Sequence, residues 1–142
     1  MVGLGILTAL VAVVTVLAVT GVIGGTDGGH RVPAEARSYC AVVASLGDIS
    51  RTLPGAGQPG VSVEPELTSS RARFDDAARK APPAIVVDVR VFAGAYGRFV
   101  DALAAVGYDS ARLSPDQVLV LATPEVQRSL ERMDAYDKST CG

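Results

Sequence analysis

Between Pro83 and Gly107 the apolar residues fall at Ile85, Val89, Phe92, Tyr96, Phe99, Leu103 and Val106. The steps alternate between four and three, the spacing of one face of a helix. The run predicts a buried helix that opens after Pro82-Pro83 and stops at Gly107. Gly94 and Gly97 lie inside it, where each costs about 1 kcal/mol against alanine unless a close helix crossing or a kink requires it.

The other amphipathic segments read as the cover for this face. Tyr39, Val42, Val43, Leu46, Ile49 and Leu53 form an inward stripe on a helix from Pro33 to Leu53, with Cys40 beside it. Leu67, Phe74, Ala77, Ala78 and Ala81 mark a second helix, Glu64 to Lys80. Its surface pairs, Arg71/Asp75/Arg79 and Asp76/Lys80, follow helical spacing, each worth about 0.2–0.5 kcal/mol. Asp75-Asp76 therefore reads as a solvated face rather than a carboxylate site. Pro82-Pro83 makes a short connection, which favours antiparallel neighbours.

After the loop Tyr108–Leu113, the run Ser114-Pro115-Asp116-Gln117 has the features of a capping box at the start of a short helix, Pro115 to Leu121. Thr123-Pro124-Glu125 restarts in the same way. The last helix, Pro124 to about Ser139, turns Val126, Leu130, Met133 and Tyr136 or Asp137 inward. Pro54 to Gly60, with three glycines and two prolines, is a loop by composition. It lacks the lysine and hydroxyl residue of a phosphate-binding loop. The fold class expected is all-α: an antiparallel bundle of four main helices and one short helix over residues 33–142.

Ahead of that domain, Val2 to Gly25 carries no charge. About 20 apolar residues are enough to cross a bilayer core, so residues 1–25 read as a transmembrane anchor or an uncleaved signal segment. Residues 26–32 form a Gly-rich linker. A single-pass anchor is favoured over a cleaved signal, because the small-residue cleavage pattern is poor and no lipid-attachment box precedes Cys40. Arg31 and Arg37 close behind the segment would alone hold the domain in the cytoplasm. The cysteine usage argues for the opposite side. The missing basic n-region leads us to expect an Arg/Lys stretch upstream in the reading frame.

The two cysteines, Cys40 and Cys141, allow one bond. An even count in a small exported domain reads as a disulfide. The expected location is therefore the cell membrane with the domain on the extracytoplasmic side, or secretion if the segment is cleaved.

Composition narrows the chemistry. Thirteen Lys+Arg against fifteen Asp+Glu give a net charge of −2, which argues against a nucleic-acid partner. His30, in the linker, is the single histidine. A histidine-based triad or a zinc site then has no materials, and no catalytic, metal or cofactor-binding residue is assigned. Glu131 and Asp134 share a helix face with Arg128, Arg132 and Lys138, a salt-linked surface. Tyr39, Tyr96 and Tyr136 are candidates to meet in the core near the disulfide, and their hydroxyls need partners such as Asp88, Asp101 or Asp137.

Cys40 with Leu46-Gly47-Asp48-Ile49, then Gly107-Tyr108-Asp109 with Leu113-Ser114, then Tyr136 with Thr140-Cys141-Gly142 form an order that resembles small exported or membrane-anchored helical proteins of actinobacteria. The resemblance implies a cell-envelope location and a disulfide, and it carries over no activity or ligand. The function expected is a non-catalytic interaction module at the outer face of the membrane, with a protein partner in the envelope. The alternative is a small-ligand-binding protein with a cavity around Phe92, Tyr96 and Phe99.

Overall fold

The computed structural model describes residues 31–52 and 63–142, with backbone alone for 47–52. The Val2–Gly25 segment, most of the linker and the Pro54–Gly60 loop lie outside the described residues. The described residues are helical and contain no strand. They form α1 (Arg37–Thr52), α2 (Glu64–Lys80), α3 (Val86–Ala105), a 3-10 turn (Ser110–Arg112), α4 (Pro115–Leu119), α5 (Pro124–Tyr136) and a wide π-type turn (Asp137–Cys141). None of these helices is long and apolar enough to cross a membrane.

Local chemistry sets most of the boundaries. α2 begins with Glu64, Pro65 and Glu66 and ends with Arg79 and Lys80, each sign at the helix end whose dipole it complements. Pro82 then holds Ala81 extended, at φ −62° and ψ 131°. The Ser114–Gln117 capping box closes in both directions, at 2.8 and 3.3 Å. Thr123 caps α5 through the Val126 N–H at 3.3 Å.

Two helices start later than their prolines suggest. Pro33 sits in a turn whose carbonyl accepts from Ala36 N–H at 3.0 Å, and α1 begins only at Arg37. Likewise the Pro82 carbonyl takes the N–H groups of Ile85 and Val86, which leaves Pro83 in the turn and starts α3 at Val86. The last helix also stops short of Ser139, widening into the π-type turn from Asp137.

Gly107 ends α3 as its position predicts, with φ +68°. The Tyr108 N–H reaches back to the Leu103 carbonyl at 2.8 Å and the Gly107 N–H to that of Ala104 at 3.0 Å, a Schellman closure. Tyr108 continues in the left-handed region at φ +61°, unusual for an aromatic residue and not foreseen from the sequence.

Cross-helix links show the order of packing. Arg73 on α2 donates to the Ser45 carbonyl on α1, while Tyr39 clusters with Ala77, so the two helices run antiparallel. Arg71 of α2 pairs with Asp101 of α3, while Phe74 meets Phe92 and Tyr96 and Ala81 lies by the cluster containing Ile85. Rising numbers on one helix again meet falling numbers on the other. Asp88 with Arg132 and Phe92 with Val126 give the same relation for α3 and α5. α3 is thus the shared spine between α2 and α5, with α4 against its second half.

Its buried face is wider than the seven-residue stripe. Asp88, Ala93, Ala95, Gly97 and Val100 are buried as well, because neighbours cover it from more than one side. Gly97 is where the Arg71 guanidinium crosses α3 on its way to Asp101; a methyl group there would stand 3.5 Å from it. Gly94 is exposed and serves no such crossing.

Candidate functional site

Three constellations and one surface depression concentrate the chemistry of the bundle. The first lies where α1 meets the C-terminus. Cys40 and Cys141 are bonded, as the cysteine count suggests, with Cα atoms 5.4 Å apart. Tyr39 is fully buried beside the bond and packs edge-on against Tyr136, with centroids 6.1 Å apart. The Tyr39 hydroxyl and Asp137 Oδ1 are both buried, and neither closes a hydrogen bond of normal geometry. They nonetheless act on each other electrostatically. Burial first, and then the Asp137 charge, push the Tyr39 hydroxyl far above the usual phenol range. Burial pushes the Asp137 carboxyl up to about 6; the Tyr39 hydroxyl pulls it back and the Asp134 carboxylate raises it further.

Two of the three tyrosines considered for this neighbourhood do meet there, and Asp137 is the carboxylate beside them. Tyr96 does not join them. It packs against Phe74 at 4.8 Å and Phe92 at 6.1 Å, and burial raises its hydroxyl's pKa while the Ser70 side chain acts in the opposite direction.

The Asp137 environment makes a pH prediction. Its folded-state pKa of about 6 lies above the ordinary 3.8, so the native state holds this proton more tightly than the unfolded chain does. The stabilisation is full below about pH 4 and is lost as pH rises through 6. A rise from 3.8 to about 6 corresponds to about 3 kcal/mol at most. Because the residue is only partly buried, roughly 1–2 kcal/mol is expected. Asp137→Asn should therefore raise the melting temperature by roughly 5–10 °C at pH 7.5 and leave it little changed at pH 4. Equal effects at the two pH values would show that this carboxyl is not the titrating group.

The second constellation joins α3 to α5. Asp88 is buried, and its Oδ1 accepts from Ser129 Oγ at 3.1 Å and from Arg132 Nε at 2.8 Å, with Arg132 Nη2 also bonded. The hydrogen bonds from Arg132 hold the Asp88 carboxyl below the usual carboxylate range, against its burial. Ser129 is wholly buried. Neither this triad nor the Arg71–Asp101 bridge was apparent from sequence. Ser129 does share the inward stripe with Val126 and Met133, which was the available signal. The helix-surface pairs are realised in part: Asp76 takes both Arg79 and Lys80, and Asp134 takes Lys138, while Arg71 leaves Asp75 for Asp101.

The third constellation is the region proposed from sequence as a ligand cavity. Phe92 and Phe99 are buried, and Phe92 meets Phe74 edge-on at 4.8 Å. Phe74, from the neighbouring helix, lies against Phe92 and Tyr96, and those two rings lie against each other. A depression of about 250 Å³ lies elsewhere on the surface, lined by Arg98, Ala102, Asp116, Gln117 and Val120. Leu119, on the same short α4, is 56% exposed. Among the described residues no His/Cys/Asp/Glu cluster could hold a metal ion.

No protein-family model, curated protein or solved structure matches this chain.

Proposed function

We propose that this chain is a membrane-anchored, extracytoplasmic interaction module without catalytic activity, which presents α4 and the adjoining depression to a protein partner. The observation that carries the reading is the division of labour in the bundle. Tyr39, Asp88, Ser129 and the aromatic rings are committed to internal contacts. Leu119 is the large apolar side chain left open at the end away from the disulfide, beside a shallow surface with Arg98 and Asp116 on its rim. An exposed apolar residue with a polar surround suits protein contact.

The location rests on two supports. The uncharged Val2–Gly25 segment is long enough to span a bilayer. The Cys40–Cys141 disulfide fits an oxidising compartment.

The test is a photoreactive amino acid placed at Leu119 of the full chain in its native membrane, with Val87 as the control position. A single adduct of defined mass from position 119, absent from 87, is the expected outcome. The same protein adduct from both positions, or no protein adduct from position 119, would refute the partner surface.

A small-ligand-binding role is the second reading, and the size and shape of the depression count against it. Its volume of about 250 Å³ lies below the range of about 300–1,000 Å³ common for ligand pockets, and it is open to solvent.

A further inference from the structure

The bundle has two chemically different ends. The chain enters at residue 31, and the antiparallel order places that entry beside the Pro82–Ile85 connection and the C-terminal turn. Tyr39, Cys40, Ala81, Ile85, Tyr136 and Cys141 belong to one cluster there. The half of the bundle made by residues 31–40, 76–90 and 128–142 carries eight Lys/Arg against six Asp/Glu. The half made by residues 64–75 and 98–125 carries four against seven. A chain of slightly negative total charge has thus gathered its cations at the end from which residues 1–30 depart.

Several of those cations are available. Arg31, Arg37 and Arg90 are exposed and form no ion pair with a described residue, whereas Arg79, Lys80, Lys138 and Arg132 are paired within the bundle. The same end holds Val87, like Leu119 a large exposed apolar side chain among the described residues, 67% exposed in the first turn of α3. Pro83 and Ala84 beside it are exposed too.

We propose that this end of the domain rests on an anionic lipid surface, with Val87 and Pro83 at the bilayer interface and Arg31, Arg37 and Arg90 over the phosphate headgroups. The proposal builds on the reading that Val2–Gly25 is membrane-embedded. If it is, the seven residues of 26–32 span at most about 25 Å, so the entry end cannot move far from the bilayer. Tethering makes docking intramolecular, and even a weak surface contact is then populated. Each Lys or Arg near an anionic surface shifts such an equilibrium by about fivefold. Docking in this pose turns the acidic end, with α4 and Leu119, away from the membrane.

The chain contains no tryptophan, so a single substitution supplies a clean reporter. The full chain carrying Val87→Trp, and separately Leu119→Trp, is reconstituted into phosphatidylglycerol-rich vesicles and into phosphatidylcholine vesicles. Expected is a blue-shifted Trp emission at position 87, quenched by brominated lipid chains, in the anionic vesicles alone and reversed by high salt. Position 119 should respond in neither. Arg31→Gln with Arg37→Gln should weaken the docked population at least fivefold. Amide exchange on the unsubstituted chain provides the check without a reporter, with slower exchange over residues 81–90 expected in the anionic vesicles.

Flotation separates the two layers of the argument. A chain that floats with the vesicles but shows the same exposure at position 87 in both lipids overturns the docking. A chain that fails to float overturns the anchoring, and the docking with it.

Discussion

Replacing both cysteines, Cys40→Ala with Cys141→Ala, should cost the domain about 4–5 kcal/mol in the chain-entropy model, the largest single loss expected in the molecule. The bond joins residues 101 apart in sequence, so it removes nearly the largest closed loop the domain offers its unfolded state. The topology makes this matter. α1 packs on α2 and on the C-terminal turn, and the last residues are held by the disulfide and by the packing of Tyr136 on Tyr39. Without the bond, the turn over Tyr39 loses its fixed end and the edge-on ring contact loosens with it. For a domain whose whole stability is of the order of 5–15 kcal/mol, the expected fall in melting temperature is roughly 15–30 °C. Urea unfolding should show a steeper denaturant dependence in the variant, because the open chain exposes more surface when unfolded. A loss under about 1 kcal/mol with an unchanged slope would mean the unfolded chain stays compact without the bond, and the entropic account would fail.

How far the sequence reveals this fold depends on the range of the interaction. α2 was legible to the residue, because Pro65, the paired acids, the terminal bases and Pro82 are all local signals within a turn of the boundary. The α4 and α5 starts were legible for the same reason. The starts of α1 and α3 were misplaced by about one turn. Proline at the head of a helix and proline in the turn before it leave the same trace in sequence, and the choice rests on which carbonyl the next N–H groups reach. The disulfide was legible because two cysteines admit one pairing.

The triad around Asp88 was not, and the reason is physical. Arg132 carries spacing that suits a surface pair on its own helix, and Asp88 lies one residue off the apolar stripe of α3. Their meeting depends on the rotation of α5 about α3, which no local pattern fixes. The aromatic region shows the same limit from the other side. Phe92, Tyr96 and Phe99 line up on one face whether the space before them is empty or full, and it is Phe74, from the neighbouring helix, that lies against Phe92 and Tyr96. Periodicity identifies the face and leaves its occupant open.

Asp88→Ala should cost roughly 2–3 kcal/mol near neutral pH. Asp88 is 7% exposed and Ser129 0% exposed. Truncating the carboxylate leaves the Ser129 hydroxyl buried with its acceptor gone and opens a small void between α3 and α5. The Arg132 guanidinium can turn to water, because its side chain is more than half exposed. The loss should therefore follow the serine and the void more than the cation. Asp88→Asn keeps an acceptor for both donors and should lose about half as much. Combining Asp88→Leu with Ser129→Ala removes both buried polar groups together and should recover most of the loss, as exchanging a buried polar set for apolar atoms commonly does. The pH dependence carries the sharper test. The Asp88 carboxyl titrates below its ordinary 3.8, so its contribution is present above that pH and fades as acid protonates the folded state. Urea midpoints of the parent and of Asp88→Ala should accordingly converge on acidification and stand furthest apart near neutrality. Parallel curves across that range would mean that Asp88 acts through its volume alone, and that its charge does not hold α5 on the spine.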